Sequence, residues 1–540
     1  MFNLGQAKTK ILVAVHGWSG VVLGFLLYAV VLTGTIAVFA HEIGHWSTGR
    51  GEAPSAYQHP IDGHVRKAIN SVEPRFRHDV SISTSPHGNL MVWAHTHEKR
   101  PNGKLADFGV LLELDPQSGR EIVRREGWSN EVFRETGTAL ERFLIDVHVR
   151  LHLPNPWGLL VTGILGLAMM AAAVSGLLMH PNLIKDAFTL RRHKKTLVAA
   201  RDEHSVAGTW GLPFAFLLAL TGAFFSFALS FGLPIMSLVA FGGDQAKLRD
   251  TLVGARPAVD ARPAELANLD TMIRDARARV GGSVNRLSIS DYGRMDGHVT
   301  IALDPAPGEL EPSRLVYKAP DGAFVVRKTR IGTEPSLGST LFSIIGPLHF
   351  GNFGGVISKL VWGALGFASC FMIATGMSLW LRRRAGDQRW RVFACINETV
   401  IFGLPIALAA SAYGFLLSYP TETAVTVTPL AFLAGAVLVI SYAAFVSLRS
   451  TGQTLNAHLM AGLGLTLVGL PIARVATGGI FWQEAFATGA HETLFIDFAL
   501  LLGGAFCIRL ARRWGISDAS TLSDAEPAAT SGKSQMGPAE

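Results

Sequence analysis

Two stretches decide how the rest of the chain is read: HGWSGVVLGFLLYAVVLTG at residues 16–34 and HSVAGTWGLPFAFLLALTG at residues 204–222. Both open on His, place Gly four residues later and close on Leu-Thr-Gly, at a constant offset of 188 residues. A second pair, GILGLAMMAAAVSG (163–176) and GALGFASCFMIATG (363–376), matches its Gly, Leu, Gly and final Gly at an offset of 200. His148 stands 28 residues before Gly176, and His349 stands 27 before Gly376. Residues 1–385 therefore read as two copies of one unit: a helix, an intervening α+β segment and a returning helix.

The helices are long and apolar. Of the 540 residues, 49% are apolar and 16% are charged, where a soluble chain carries about a quarter. The deficit lies in runs at about 11–40, 157–179, 207–231, 356–381, 400–417, 429–446, 458–472 and 493–508, with Lys359 and Asp497 as their only charges. A helix needs about 20 apolar residues to cross a bilayer, so eight spans are expected. The first run is too long for a signal-peptide core and no small-residue cleavage site follows it, so it reads as a retained helix.

Lys and Arg set the expected orientation. Lys185, Arg191, Arg192, Lys194, Lys195 and Arg201 follow span two, Arg382, Arg383, Arg384, Arg389 and Arg391 follow span four, and Arg509, Arg512 and Arg513 end span eight. The connections SYPTETAVTV and GGIFWQEAFATGAH contain neither residue. Both termini are then cytoplasmic, and residues about 42–150 and 242–348 lie outside, in the periplasm if the cell is Gram-negative. These inner loops account for the net charge of +7, so no nucleic-acid partner is expected. Cys370, Cys395 and Cys507 all fall outside the outer segments, so no disulfide framework is implied. The absence of Cys-x-x-Cys-His speaks against covalent haem.

The outer segments repeat in pattern. Each opens helix-like (IDGHVRKAINSV; PAELANLDTMIRDARARV) and continues as an alternating strand pair (DVSISTSPHGNLMVWAH; RLSISDYGRMDGHVTIAL). Each ends as strand–turn–strand (VLLELDPQSGREIVRR; RLVYKAPDGAFVVRK), with Gly-containing turns that mark hairpins. The fold class expected is a polytopic α-helical membrane protein of about eight spans, with two extracytoplasmic α+β domains in tandem. The expected division is span one over 1–45, outer domain one over 46–150 and spans two and three over 151–241. Outer domain two follows over 242–348, span four over 349–395, a four-helix extension over 396–514 and a disordered tail over 515–540.

Two copies of equal orientation imply a pseudo-two-fold axis along the membrane normal, and sites favour such repeat interfaces. His16 and His204 fall near the inner ends of outward-running helices, and His148 and His349 near the outer ends of inward-running segments. The axis can bring each pair face to face, and two facing imidazoles in a helix bundle are what a six-coordinate haem iron requires. His152, one turn from His148, and His180, at the end of span two, are rival ligands. The pairs Thr33-Gly34, Ser175-Gly176, Thr221-Gly222 and Thr375-Gly376 permit close helix approach.

These residues resemble the PepSY-associated transmembrane family. The matches are His16-Gly-Trp-Ser-Gly with its Leu-Thr-Gly, Asp146-Val-His148-Val-Arg-Leu, Asp202-Glu-His204-Ser-Val-Ala-Gly, and Pro347-Leu-His349-Phe-Gly-Asn-Phe-Gly-Gly. They continue with Thr375-Gly and Trp380-Leu-Arg-Arg-Arg. The resemblance covers roughly residues 10–390, and DPQSG and APDGA sit where PepSY domains have a strand–turn–strand. The family includes bacterial inner-membrane ferric-siderophore reductases that resemble di-haem b-type cytochromes. The resemblance therefore implies two non-covalent b-type haems, an inner one on His16 and His204 and an outer one on His148 and His349. It also implies reduction of Fe(III) in a ferric siderophore at the outer face. No Rossmann fingerprint precedes a helix in any soluble segment, so the electron donor is a separate cytoplasmic or membrane partner. The alternatives are a non-enzymatic PepSY membrane protein that binds or regulates a periplasmic partner, and a permease.

HEIGH, at residues 41–45, has the His-Glu-x-x-His pattern of zinc proteases. WSTGRG follows it with no third ligand, and the equivalent end of span three reads LSFGL. It is expected to be interfacial, with His41 and His45 as distant alternatives for an outer ligand. His95 and His97 fall on one face of an expected strand. His458 and His491 open spans seven and eight as interface residues. Arg474 with Trp482 is a candidate contact for an anionic ferric complex.

Overall fold

The computed structural model describes every residue except 1–4, 50–52, 102, 104, 180–182, 192–195, 255–257, 307–308, 311, 329–335, 385, 448–451 and 524–540. In chain order it forms α1 (Gln6–Ala37), α2 (Ala40–Thr48) and α3 (Asp62–Asn70), then β1 (Asp79–Thr84), β2 (Leu90–Lys99), β3 (Leu105–Leu114) and β4 (Glu121–Trp128). Next come α4 (Ala139–Arg150), α5 (Trp157–Met179), α6 (Thr196–Phe227) and α7 (Leu269–Val280). Strands β5 (Val284–Ser290), β6 (His298–Leu303), β7 (Ser313–Lys318) and β8 (Phe324–Lys328) follow. The chain closes with α8 (Leu337–Phe350), α9 (Gly355–Arg382), α10 (Gln388–Ser418), α11 (Ala424–Ser447), α12 (Gly452–Ala476), α13 (Trp482–Thr488) and α14 (His491–Ser523). Among the described residues eight helices are long and apolar enough to cross a bilayer: α1, α5, α6 with its extension to Phe241, α9, α10, α11, α12 and α14.

The contacts divide the chain into two units. The first comprises residues 1–51, 136–219 and 362–540. There α1 packs on α4 and α5, α10 on α11 and α12, and α12 on α14. Glycines set the closeness of α1 to α9: a Cβ on Gly24 would lie 2.5 Å from Met377 Sδ, and one on Gly366 would press against Thr35 Oγ1. In a bilayer, where apolar burial gives little drive for association, such small-residue approaches are what hold helices together.

The later helices join α2 through a buried polar knot. Arg474, fully buried on α12, donates to Asp497 Oδ2 on α14 at 2.6 Å. Trp482 Nε1 donates to the same oxygen at 2.9 Å, and Trp46 Nε1 of α2 donates to Asp497 Oδ1 at 2.7 Å. Arg474 also donates to the Ile480 carbonyl at 2.7 Å. An ion pair this deep persists only when further hydrogen bonds satisfy both partners, and two indole N–H groups and a carbonyl provide them. This corrects the expectation for Arg474: its guanidinium is committed to the fold and offers no charge to a ligand.

The second unit comprises residues 52–135 and 220–361. Its β hairpins fall where the alternating stretches predict them. All eight strands form one antiparallel sheet in the order β4-β3-β2-β1-β5-β6-β7-β8. The two α+β segments, read from sequence as separate domains, are thus fused at the β1–β5 seam, where Val80 faces Ile289 and Ile82 faces Leu287. One core spans both halves, with Ile61, Val65 and Ile69 from the α3 side and Leu269, Met272 and Ile273 from α7. The first turns of these helices exchange carboxylates. Asp270 accepts from Ile61 N at 2.8 Å, and Asp62 accepts from Leu269 N at 2.9 Å. Each satisfies an N–H that its partner helix cannot pair internally, and each negative charge suits a helix N-terminus.

Two local results differ from the sequence reading. His148 and His349 lie on short helices, α4 and α8, that precede the spans rather than begin them. Leu151 and His152 take left-handed backbone, with φ of 51° and 57°, and Pro154 and Pro156 follow. This run ends α4, as left-handed residues and proline end helices. Gly351, with φ of 68°, ends α8 in the same way. The last helix continues to Ser523, past the expected start of the tail.

Candidate functional site

Four histidines share one local arrangement. His16, on α1, lies with Nδ1 3.1 Å from the Ala172 carbonyl and 3.1 Å from Ser175 Oγ, and a Cβ on Gly176 would stand 3.4 Å from its ring. His204, on α6, has Nδ1 3.0 Å from the Met372 carbonyl, with Gly376 beneath its ring at 2.8 Å by the same measure. His148, on α4, has Nδ1 3.0 Å from the Val30 carbonyl and Gly34 at 2.7 Å. His349, on α8, has Nδ1 2.8 Å from Thr221 Oγ1 and Gly222 at 3.3 Å.

The repetition has a simple physical origin. A missing Cβ lets an imidazole lie against the helix backbone. In three of the four cases the ring reaches the carbonyl four residues before the glycine, which has a second lone pair to offer beyond the helical bond. A carbonyl only accepts, so Nδ1 must carry the proton and Nε2 keeps its lone pair for an electrophile. Burial holds the His148 pKa below its ordinary value, against the smaller opposing effect of the Val30 carbonyl. The neutral form is the one that ligates metal.

His16 and His204 face each other with ring centres 6.2 Å apart and planes at 63°. Metal–imidazole bonds run about 2.0–2.1 Å, and a ring nitrogen lies about 1.1 Å from its ring centre. Two imidazoles on opposite sides of one ion therefore place their centres about 6.3 Å apart. The gap has that width. Among the described residues no group of three or more His, Cys, Asp or Glu side chains could hold a bare metal ion. The donor set, two facing imidazoles, would suit a metal whose other ligands come from a macrocycle. Along α1 the site at His16 and the cradle at Gly34 are eighteen residues apart, about 27 Å of helix, close to the thickness of a hydrocarbon core.

The other candidates fall elsewhere. His152 sits in the left-handed turn with Nδ1 2.7 Å from Asp146 Oδ2. His180 lies outside the described residues. In HEIGH, His41 and His45 share a face of α2 with ring centres 4.1 Å apart. Each is turned to a carboxylate: His41 Nδ1 lies 3.7 Å from Glu141 Oε1, and His45 Nδ1 2.6 Å from Glu492 Oε2. The Glu141 carboxylate raises the His41 pKa more than burial lowers it. His95 is buried and stacked on Trp93, while His97 Nδ1 lies 2.7 Å from Asp107. His458 Nδ1 lies 2.8 Å from the Tyr442 hydroxyl, and His491 is the first residue of α14. The sequence singled out the glycines as small-residue contacts but not as imidazole cradles. The signal was present in the fixed spacing of eighteen residues from His16 to Gly34 and from His204 to Gly222.

The fold and the histidine arrangement define a polytopic helical membrane protein built on an internal repeat, with an antiparallel sheet unit between its spans. A family model, that of the PepSY-associated TM region, matches residues 13–383, and the chain belongs to that family. An uncharacterised protein of Pseudomonas aeruginosa is 28% identical over 384 residues, covering 68% of this chain and 93% of its own length. The family match ends as α9 ends, so α10–α14 stand outside it.

Proposed function

We propose that the protein is a b-type di-haem conduit of a bacterial inner membrane, reducing ferric siderophores at its periplasmic face. The observation that carries this reading is the His16–His204 pair, spaced for one six-coordinate iron, with both Nδ1 atoms tied to backbone carbonyls. Bound there, haem supplies reversible one-electron Fe(III)/Fe(II) chemistry. The chain's own residues do the rest. His16 and His204 present neutral Nε2 atoms, while the Ala172 and Met372 carbonyls fix the tautomer and raise the ligands' basicity. His148 and His349, in the same cradles, are assigned to the second haem. Reduced iron leaves its chelator because Fe(II) is a poorer match than Fe(III) for hard oxygen ligands. The Lys and Arg residues that follow α5 and α9, with Arg509, Arg512 and Arg513 in α14, support cytoplasmic termini and, with them, a periplasmic sheet unit.

The test uses sealed vesicles holding a reductant inside and a ferric siderophore with a ferrous-specific chromogenic chelator outside. Wild type should produce external Fe(II), and His16→Ala and His349→Ala should each abolish it. External Fe(II) from all four His→Ala variants at the wild-type rate would refute the reading and favour a non-enzymatic PepSY protein. Uptake of the intact complex without reduction would favour a permease.

A further inference from the structure

The inner end of α1 carries a second constructed feature beside the His16–His204 pair. Lys10, Val13, Ala14 and Trp18 of α1, with Trp380, Arg383 and Arg384 at the end of α9, enclose a cavity of about 510 Å³. That is within the size range of small-molecule sites, about 300–1,000 Å³. Three cations line it and no carboxylate does. Lys10 and Arg383 are exposed at its mouth, and neither has an acidic partner among the described residues. The guanidinium of Arg384 lies 3.6 Å from the centre of the Trp380 ring and donates to the Trp380 carbonyl at 3.2 Å. Trp18, half-exposed, meets Trp380 edge-on at 5.3 Å between ring centres, and Trp390 closes on Trp380 at 4.6 Å. A Cβ on Gly17 would lie 3.1 Å from the Trp380 indole, so this glycine lets the two walls meet.

We propose that this cavity docks the electron donor, a reduced flavin bearing a phosphate. The inference rests on the conduit reading above. A flat aromatic body fits against the Trp18 indole and the Arg384 plane, through stacking and cation–π contact. A phosphate fits Arg383 and Lys10, since Arg forks and Lys point charges are the usual phosphate partners. On α9, Trp380 stands four residues beyond Gly376, the glycine beneath His204, so the cavity wall and the His204 cradle share one face, about 6 Å apart along the helix. Dihydroflavin becomes flavin by losing two electrons and two protons. A haem held by His16 and His204 would accept those electrons one at a time, and the protons pass to cytoplasmic water at the mouth.

The experiment uses the full chain in phosphatidylcholine nanodiscs, with two readouts. Fluorescence of oxidised flavin mononucleotide reports binding with or without haem. Absorbance reports haem reduction by photoreduced flavin mononucleotide under nitrogen. Wild type should quench the flavin saturably. Arg383→Gln and Lys10→Gln should each weaken that binding roughly tenfold or more, the loss of one charge-assisted contact. Riboflavin, which lacks the phosphate, should bind as weakly to wild type as flavin mononucleotide binds to the variants. Dithionite should still reduce every variant fully.

Unsaturable quenching, or equal affinity in wild type and both variants, would overturn the site. So would loss of flavin binding when a few per cent phosphatidylglycerol is added, which would give the cavity to a lipid headgroup. Flavin binding through Arg383 in a chain that carries no haem would overturn the conduit and leave the site. Haem that dithionite reduces in a chain that binds no flavin would do the reverse.

Discussion

The imidazoles of His16 and His204 stand 6.2 Å apart at 63° to each other, each lying over a glycine that the internal repeat places at an equivalent position. Gly176 lies beneath His16 and Gly376 beneath His204, and each ring reaches a carbonyl four residues earlier on the same helix. Each duplicated half thus carries the same device: a histidine near the N-terminal end of its first span, cradled by the returning span.

The clearances rank the four cradles. An added Cβ would meet His148 at 2.7 Å and His204 at 2.8 Å, His349 at 3.3 Å and His16 at 3.4 Å. Gly34→Ala and Gly376→Ala must displace their imidazoles and should each remove one haem per chain. Gly222→Ala should perturb its haem without removing it, and Gly176→Ala should have the smallest effect. Haem-to-protein ratio in purified variants checks the order.

The eight spans, both sheet segments with their hairpins and the repeated positions of the four histidines were legible because periodicity and repetition are written in the order of residues. The β1–β5 seam was not. Asp79–Thr84 reads as an ordinary hairpin strand, and nothing in its alternation says that its second edge pairs with residues 286–290. Arg474 misled for a related reason. A charge at the end of an apolar run marks either a site or a buried pair, and its partner Asp497 lies on another helix. The carbonyl partners of the histidines were invisible because every residue has one.

The Thr221 hydroxyl lies 2.8 Å from His349 Nδ1 and, unlike the carbonyls beside the other three imidazoles, can be deleted by a substitution without touching the backbone. A hydrogen bond from Nδ1–H makes imidazole a stronger donor and favours the ferric state. Thr221→Val should therefore raise the outer midpoint potential by about 20–60 mV, the equivalent of one net hydrogen bond of about 0.5–1.5 kcal/mol. Haem content should be unchanged, as a spectroelectrochemical titration would show.

The Arg474–Asp497 pair ties the later helices to α2 through Trp46. Asp497→Ala leaves a buried guanidinium unpaired and should cost about 3–5 kcal/mol. The double variant Arg474→Met with Asp497→Leu should recover most of that. Thermal unfolding in detergent, followed by tryptophan fluorescence, distinguishes the two.

His41 makes one contact of α2 sensitive to pH. Glu141 raises its pKa in the folded protein above the unfolded value of 6.5. A raised folded pKa gives stability that is complete below the unfolded value and is lost as pH rises through the folded one. His41→Ala should therefore lower the melting temperature at pH 5.5 and change it little at pH 8.5. An equal effect at both would mean that His41 contributes through packing alone.

The central claim is tested most directly by a dithionite-reduced minus air-oxidised absorption spectrum of the purified chain, with haem quantified per protein. His16→Ala, His204→Ala, His148→Ala and His349→Ala are measured beside it. The account predicts a b-type spectrum near two haems per chain. Each variant should lose one haem, with the His16 and His204 variants losing the same one and the His148 and His349 variants the other. A chain that binds no haem when haem is supplied during expression, or four variants that all keep the wild-type spectrum, would contradict it.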